Sequence, residues 1–152
     1  MRGLQVHVEV QVGQPVETVW RYVAEGYFEH HSSWDPAVVE MVKLTSGPVG
    51  AGTRGREVRR FAGRQAAGFT VTDAAEPSRF ALSSTSGPFA LDRSYEFKPN
   101  GAGCTVSFSF DMRPKAAMKL AFPLLRRTIA AQVRANIGRI PSAVSQAGCL
   151  SR

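Results

Sequence analysis

The chain has little cysteine and no long apolar run. Its two cysteines among 152 residues, Cys104 and Cys149, do not suggest a disulfide framework, and we interpret them as free thiols in a reducing cytoplasm. No stretch approaches the roughly 18 consecutive apolar residues of a membrane span, and the N-terminus has no apolar stretch of signal-peptide length. The sequence therefore predicts a soluble, cytoplasmic protein.

Acidic residues are also scarce. Twelve Asp and Glu stand against nineteen Lys and Arg, which gives a formal net charge of +7. Such a balance raises the question of nucleic acid or an anionic membrane as a partner. However, the basic residues are spread over predicted strands, turns and helix, and aromatic residues do not interleave with them as a stacking platform requires. We therefore interpret the charge as a solvated surface and expect no nucleic-acid partner.

Catalytic and metal-binding motifs are lacking as well. The sequence has no Gly-x-Ser-x-Gly elbow and no His-Glu-x-x-His or paired-cysteine motif, and Ser46–Gly52 lacks the Lys-Ser/Thr ending of a phosphate loop. His30 and His31 are adjacent, so on a helix their side chains diverge by about 100°, which argues against both binding one metal ion. We expect no metal and no other cofactor.

What the sequence does contain is a series of strands with period-two alternation. Val6, Val8, Val10 and Val12 alternate with polar residues, as in a half-buried strand. Asn100-Gly101 is the strongest hairpin-turn signal. The pattern predicts seven strands, at about residues 5–12, 38–44, 53–61, 64–73, 80–85, 89–98 and 104–112.

Helical periodicity occurs early and late in the chain. Residues 15–24 and the short segment Tyr27–Trp34 are predicted to be helical, and Lys115–Val144 carries a long apolar stripe. Pro123 falls within this stripe and predicts a bend rather than a break. The fold class is α+β: a curved, seven-stranded antiparallel sheet wrapped around a long C-terminal helix. We expect a single domain over residues 1–152, with a core at about 5–144 and a loose tail at 145–152.

Several phrases of the sequence resemble one superfamily. They include Pro15–Trp20, Trp34-Asp35-Pro36, Gly47–Thr53, Tyr95–Pro99 and Pro123–Arg127. The chain resembles the START-like, or SRPBCC, superfamily with its helix-grip fold, in the polyketide cyclase/dehydrase and lipid transport branch. This resemblance implies a cavity between sheet and helix, as in aromatase/cyclases and in carriers of lipids and hormones.

The sharpest anomaly is Arg93, which lies in an otherwise apolar row of the strand 89–98. An unpaired buried guanidinium is costly, so it must find a partner. One partner is a ligand carboxylate, phenolate or enolate. We favour instead that Arg93 pairs with an acid such as Asp35 or Glu57, or that a bulge turns it to solvent. If the protein is a cyclase, the candidate catalytic residues are Arg93, Tyr95 and His31, with arginine stabilising an enolate and the others moving protons.

The candidate ligand-binding residues follow from strand phase and from the helical stripe. Val58, Phe69, Phe80 and Phe108 are taken as facing inward, and Arg54 and Arg56 share the phase of Val58. The full set is Tyr27, Trp34, Arg54, Arg56, Val58, Phe69, Phe80, Leu82, Leu91, Phe108, Phe110, Met118, Phe122 and Leu125.

Three functions remain open on the sequence. The first is binding of a small apolar molecule, of aromatic, polyketide-like or lipid character, in the cavity. The second is a polyketide cyclase or aromatase. The third is an interaction protein that uses the basic helix face at Lys119, Arg126, Arg127 and Arg134 on a membrane surface or acidic partner, with the membrane the less favoured possibility. We expect a monomer or a homodimer.

Overall fold

The computed structural model describes residues 3–61, 63–84 and 86–150, and the side chains of 149 and 150 are not part of that description. Ala62 in a predicted turn, Thr85 at a predicted strand end and the Cys149 thiol therefore lie outside the described part, whereas Cys104 is a buried free thiol. The seven strands are β1 (Leu4–Val12), β2 (Val38–Lys43), β3 (Arg54–Arg60), β4 (Arg64–Ala75), β5 (Arg79–Ser84), β6 (Phe89–Asn100) and β7 (Gly103–Pro114).

The strands form one antiparallel sheet in the order β1-β7-β6-β5-β4-β3-β2. Directly opposite residues of antiparallel strands share a face, so the register identifies the inner row. Phe108 of β7 lies opposite Val8 of β1 on one side and opposite Tyr95 of β6 on the other. The predicted inward phase of β1, β6 and β7 is therefore confirmed.

Two short helices follow β1 and close one end of the sheet. Helix α1 (Val16–Trp20) continues into a π-helical turn at Arg21–Glu25, and helix α2 (Tyr27–Trp34) comes next. Val19 is fully buried, and the Trp20 indole Nε1–H donates to the carbonyl of Arg79 at 2.9 Å. This contact ties α1 to the start of β5.

The C-terminal helix differs from the sequence prediction. A 3-10 turn spans Ala116–Met118, helix α3 begins only at Phe122, and Pro123 lies in its first turn. Proline is accepted there because the first amides of a helix have no intrahelical carbonyl to bond. The predicted bend within one continuous helix is therefore wrong, because Pro123 marks a helix start.

A second interruption separates α3 (Phe122–Gly138) from helix α4 (Ile140–Leu150). Pro141 stands in the first turn of α4, where its ring would clash with the carbonyl of the preceding turn if the helix were continuous. Residues 145–150, expected to be a loose tail, are helical in α4. Ile140 and Val144 are buried, so α4 contributes to the core.

The core lies between the concave face of the sheet and the helices. It combines residues of β1, β6 and β7 with residues of α1–α4, such as Val6, Phe97, Val106, Trp20 and Ile137. Within the described ranges, no helix is long and apolar enough to cross a membrane.

Candidate functional site

A cavity of about 130 Å³ lies between α3 and the concave face of the sheet. Its walls are mostly apolar, with side chains from β3–β4, β6, β7 and α3. The apolar lining residues are Trp34, Phe61, Ala67, Phe69, Pro88, Phe89, Leu91, Phe108, Phe110, Met112, Ile129, Val133 and Ile137. Phe61, Gln65, Phe89 and Gln132 are partly or fully exposed and form its mouth.

The inner end of the cavity is polar, and we call its five residues the polar floor: His31, Asp35, Glu57, Arg59 and Arg93. His31 lies in the last turn of α2 and Asp35 just after it, so the end of that helix delivers both side chains. Glu57 and Arg59 come from β3, and Arg93 comes from β6. His31, Asp35, Glu57 and Arg93 are all at most 5 % exposed.

Two carboxylates and two guanidiniums are linked across this floor. Arg59 Nη2 lies 2.8 Å from Asp35 Oδ2 and 3.5 Å from Glu57 Oε1. Arg93 Nη1 lies 3.7 Å from the same Glu57 oxygen. The interpretation of Arg93 as the partner of an acid is thus confirmed for Glu57. Because the charges balance, the floor carries no net charge as long as His31 is neutral.

Burial keeps His31 neutral. Burial lowers the pKa of His31 to about 4, against the opposing influence of Glu57 and Asp35. Burial by itself raises the pKa of Glu57, but the charges of Arg93 and Arg59 outweigh it and hold that pKa at about 2. Glu57 is therefore ionised and His31 uncharged at neutral pH.

Aromatic side chains support the floor. The Tyr27 ring stacks on His31 with centroids 4.5 Å apart, and its hydroxyl lies 3.4 Å from His31 Nε2. Burial raises the pKa of Tyr95 to about 12, with Arg93 and a side-chain hydrogen bond from Trp34 acting in the opposite direction. Tyr95 consequently keeps its proton at neutral pH. Phe69 stands beneath the guanidinium of Arg93, 5.8 Å from ring centroid to Cζ.

Three buried polar atoms of the floor have no hydrogen-bond partner among the described residues. They are His31 Nδ1, Asp35 Oδ1 and Glu57 Oε2. The first and last of these atoms lie 3.6 Å apart. Buried polar atoms are normally satisfied, so this trio is the chemically distinctive part of the cavity.

The cavity brings together part of the predicted set. All three candidate catalytic residues line it: His31, Arg93 and Tyr95. Five of the candidate ligand-binding residues also line it: Trp34, Phe69, Leu91, Phe108 and Phe110.

The predicted phase of β3 is wrong. Gly55 lies opposite Phe69, and Glu57 and Arg59 line the cavity, so the inner face of β3 carries the odd-numbered residues. Arg54 and Arg56 are exposed on the other face, where Arg56 approaches Glu40 at 3.9 Å.

Val58 also lies on the face of β3 opposite the cavity, although it is buried. Its apolar side chain indicated that the even-numbered residues of β3 face inward. The inner face of this strand instead holds glycine and charged residues. Glu57 and Arg59 could have been found from Phe69 on the neighbouring strand. Phe69 faces inward and pairs with Gly55 across the β3–β4 hairpin, so residues 57 and 59 of β3 face inward as well.

Other candidates support the core instead of lining the cavity. Tyr27, Phe80 and Leu82 are buried beside the floor. Phe122 is buried against Phe89, with ring centroids 5.8 Å apart.

Leu125 packs on the core from the first turns of α3, and Met118 lies in the 3-10 turn before that helix begins. The predicted apolar stripe included Met118, but helix α3 begins only after this residue, and Met118 does not line the cavity. His30, which was not selected, stacks on Tyr22 and hydrogen-bonds its carbonyl through Nδ1 at 3.0 Å.

Within the described residues, no group of three His, Cys, Asp or Glu side chains is arranged to hold a metal ion. The two floor carboxylates already face guanidiniums, so the site is organised for hydrogen bonding.

Comparison with known proteins gives a family match over most of the chain. The model of the family described as polyketide cyclase / dehydrase and lipid transport matches residues 4–144. No curated protein sequence matches this chain.

Solved structures with the same fold include proteins of three bacteria. A protein of Thermus thermophilus is 20 % identical with a TM-score of 0.77, over 94 % of this chain and 98 % of that one. A START superfamily protein of Mycobacterium smegmatis is 17 % identical with a TM-score of 0.77, over 93 % and 97 %. The Zhui aromatase/cyclase of Streptomyces sp. R1128 is 20 % identical with a TM-score of 0.74, over 99 % and 96 %. At these identities the likeness establishes the helix-grip fold alone.

Proposed function

Because the chain belongs to the polyketide cyclase/dehydrase and lipid transport family, we propose that it binds a small, neutral aromatic molecule carrying a hydroxyl or N–H group. The observation that carries this proposal is that three residues with unpartnered buried polar atoms, His31, Asp35 and Glu57, line a mainly apolar cavity. Apolar walls with a few convergent polar groups are the usual composition of a ligand site.

The size of the cavity limits the ligand. Its volume of about 130 Å³ is close to that of an engineered apolar cavity of about 150 Å³ that holds benzene. The present conformation therefore suits one aromatic ring at the floor, with a second fused ring extending to the mouth, which is the size of a naphthyl probe. A larger aromatic or polyketide-like ligand requires the side chains of the mouth to move apart, a change common on binding.

The polarity of the floor determines which end group fits. Asp35 Oδ1 and Glu57 Oε2 are carboxylate oxygens, which accept hydrogen bonds and cannot donate while ionised. Glu57 Oε2 and His31 Nδ1 lie 3.6 Å apart and are closed off in this conformation. A small rotation of either side chain would let a ligand hydroxyl donate to Glu57 Oε2 and also contact His31 Nδ1. A ligand carboxylate would instead meet acceptors, next to guanidiniums that are already paired.

The protonation states favour binding over acid–base catalysis. An efficient general base has a pKa near the working pH, whereas that of His31 is about 4. Tyr95 holds its proton tightly, and Arg93 faces Glu57.

An aromatase/cyclase activity is the second candidate. What supports it is that His31, Arg93 and Tyr95 all line the same cavity. Turnover of a poly-β-ketone substrate that survives unchanged in both Arg93→Ala and Tyr95→Phe would remove this candidate.

The binding proposal is tested with three probes of one size: 1-naphthol, naphthalene and 1-naphthoate. Trp34 lines the cavity, so quenching of its fluorescence reports occupancy, and Trp20→Phe removes the other tryptophan signal. We expect 1-naphthol to bind at least tenfold more tightly than 1-naphthoate, which corresponds to about 1.4 kcal/mol. Binding of none of the probes, or a preference for the carboxylate, would contradict the proposal.

A variant that fills the cavity provides the structural control. Val133 lines the cavity from α3 and is only partly buried, so Val133→Trp can occupy the space with little strain. Thr128→Trp adds the same side chain on an exposed position of the same helix. We expect Val133→Trp to abolish 1-naphthol binding and Thr128→Trp to retain it, measured by isothermal titration calorimetry because the added tryptophans would overlap the fluorescence of Trp34.

A further inference from the structure

A second feature lies outside the cavity, in the segment that leads into α3. Leu120 is 93 % exposed and Leu124 is 85 % exposed, far above the other large exposed apolar residues, Leu44 at 55 % and Val39 at 41 %. The amide of Leu124 donates to the carbonyl of Ala121 at 3.0 Å, which helps to fix the helical geometry of this turn. Leu120 lies before α3, but its neighbours Lys119 and Ala121 both have helical backbone angles. Residues four apart on a helical path share a face, so the two leucines project together.

The surroundings of the two leucines are apolar and cationic. Residues 116, 117 and 123 are Ala, Ala and Pro and are also exposed, while Lys119 and Arg127 flank the leucines on the surface. We call residues 116–127 the leucine turn. No Asp or Glu follows Asp111 in the sequence, whereas eight Lys and Arg do. The segment from Arg113 to Arg139 is thus cationic, with seven of these eight basic residues.

This combination identifies the kind of partner. A second copy of the chain, docked through the same turn, would bring cations against cations. A single-stranded nucleic acid would need exposed aromatic rings for stacking, but Phe122 is fully buried and Arg126 lies over its ring at 5.9 Å. A duplex would meet the cations with its phosphates but would leave the two protruding leucines against a charged backbone. Protruding leucines next to lysine and arginine match the interface of a bilayer with anionic headgroups.

We propose that the leucine turn docks the protein on membranes that contain anionic phospholipid. Leu120 and Leu124 insert at the boundary between headgroups and acyl chains, and Lys119 and Arg127 lie at the level of the phosphates. The turn is close to the cavity mouth, because Phe122 packs on Phe89, which belongs to that mouth.

The test is flotation of the full chain with vesicles of phosphatidylcholine, with and without phosphatidylserine. We expect binding to the vesicles with phosphatidylserine and weakening of this binding at high salt. Leu120→Ser combined with Leu124→Ser is expected to weaken it at least tenfold, since each leucine loses its apolar burial. Both side chains are exposed, so the double variant is expected to fold, as circular dichroism would verify.

Two control variants make the result specific. Leu44→Ser removes an exposed leucine at a distant part of the sequence and is expected to leave flotation unchanged. Lys119→Glu combined with Arg127→Glu is expected to weaken binding to the anionic vesicles alone.

Absence of flotation with phosphatidylserine, or equal flotation of the double leucine variant, would overturn the proposal. Loss of a wild-type dimer in the double leucine variant, without any flotation, would also overturn it and assign the turn to self-association. Retained 1-naphthol binding in the double leucine variant keeps this result separate from the function of the cavity.

Discussion

Replacing Glu57 with Gln tests the electrostatic organisation of the polar floor. Arg93 and Glu57 have side chains that are each 6 % exposed, and among the described carboxylates Glu57 alone lies within 4 Å of Arg93. The substitution keeps the shape of the side chain but leaves the buried guanidinium with no described carboxylate within 4 Å. Breaking a buried pair in this way costs about 3–5 kcal/mol.

The reverse substitution is expected to cost less. In Arg93→Met, Glu57 keeps Arg59 at 3.5 Å, so the buried carboxylate remains paired with a guanidinium whose side chain is 30 % exposed and partly hydrated. The combined variant removes both buried charges. We therefore expect the double variant to be about 2–3 kcal/mol more stable than the sum of the two single effects implies.

The measurement is urea unfolding of the wild type, the two single variants and the double variant. With a slope of about 1–3 kcal/mol per molar urea, a loss of about 4 kcal/mol moves the midpoint by more than about 1 M. A cost of Glu57→Gln below about 1 kcal/mol, or simple additivity in the double variant, would refute the argument that Arg93 depends on this carboxylate.

Two further predictions concern pH and packing. The folded chain holds the pKa of His31 at about 4, whereas the unfolded chain takes up this proton at about pH 6.5. Between about pH 6.5 and 4 only the unfolded state is therefore protonated at this residue. The free energy of unfolding is full above pH 6.5 and falls by about 3 kcal/mol towards pH 4. His31→Gln should flatten that slope in pH-dependent urea unfolding, whereas His7→Gln at an exposed site should not; an unchanged slope in His31→Gln would contradict the assignment. Gly55→Ala places a methyl group against two phenylalanine rings and should lower the free energy of unfolding by about 1–3 kcal/mol, measured by thermal unfolding. The control Gly50→Ala has open space around its Cα and should change stability little. Equal effects of the two substitutions would contradict the packing argument.

The fold could be predicted from the sequence because its signals are local. Alternation in β1, β6 and β7 and the Asn100-Gly101 turn determine which residues face inward, and the structure confirms them. The bounds of the C-terminal helices were less predictable. Apolar spacing continues through Pro123 and Pro141, and only the three-dimensional path shows that each proline starts a helix.

The site was predictable only in part because its key contacts join distant parts of the chain. The position of Arg93 within an apolar row indicated that a buried partner must exist. That this partner is Glu57 depends on how β3 pairs with β4. Val58 indicated the wrong inward face of β3, because the face that carries Val58 is also buried.

The division of the cavity into a charged floor and an uncharged mouth has an evolutionary consequence. At the floor, a change of Glu57 alone leaves Arg93 buried without a counter-charge, so Glu57 is expected to drift only together with Arg93. At the mouth, Phe61, Gln65 and Gln132 are uncharged, so none of them balances a buried charge and each can be exchanged independently. If the cavity binds ligand as proposed, new ligand preferences can arise through single substitutions at the mouth, while the floor keeps its hydrogen-bond acceptors.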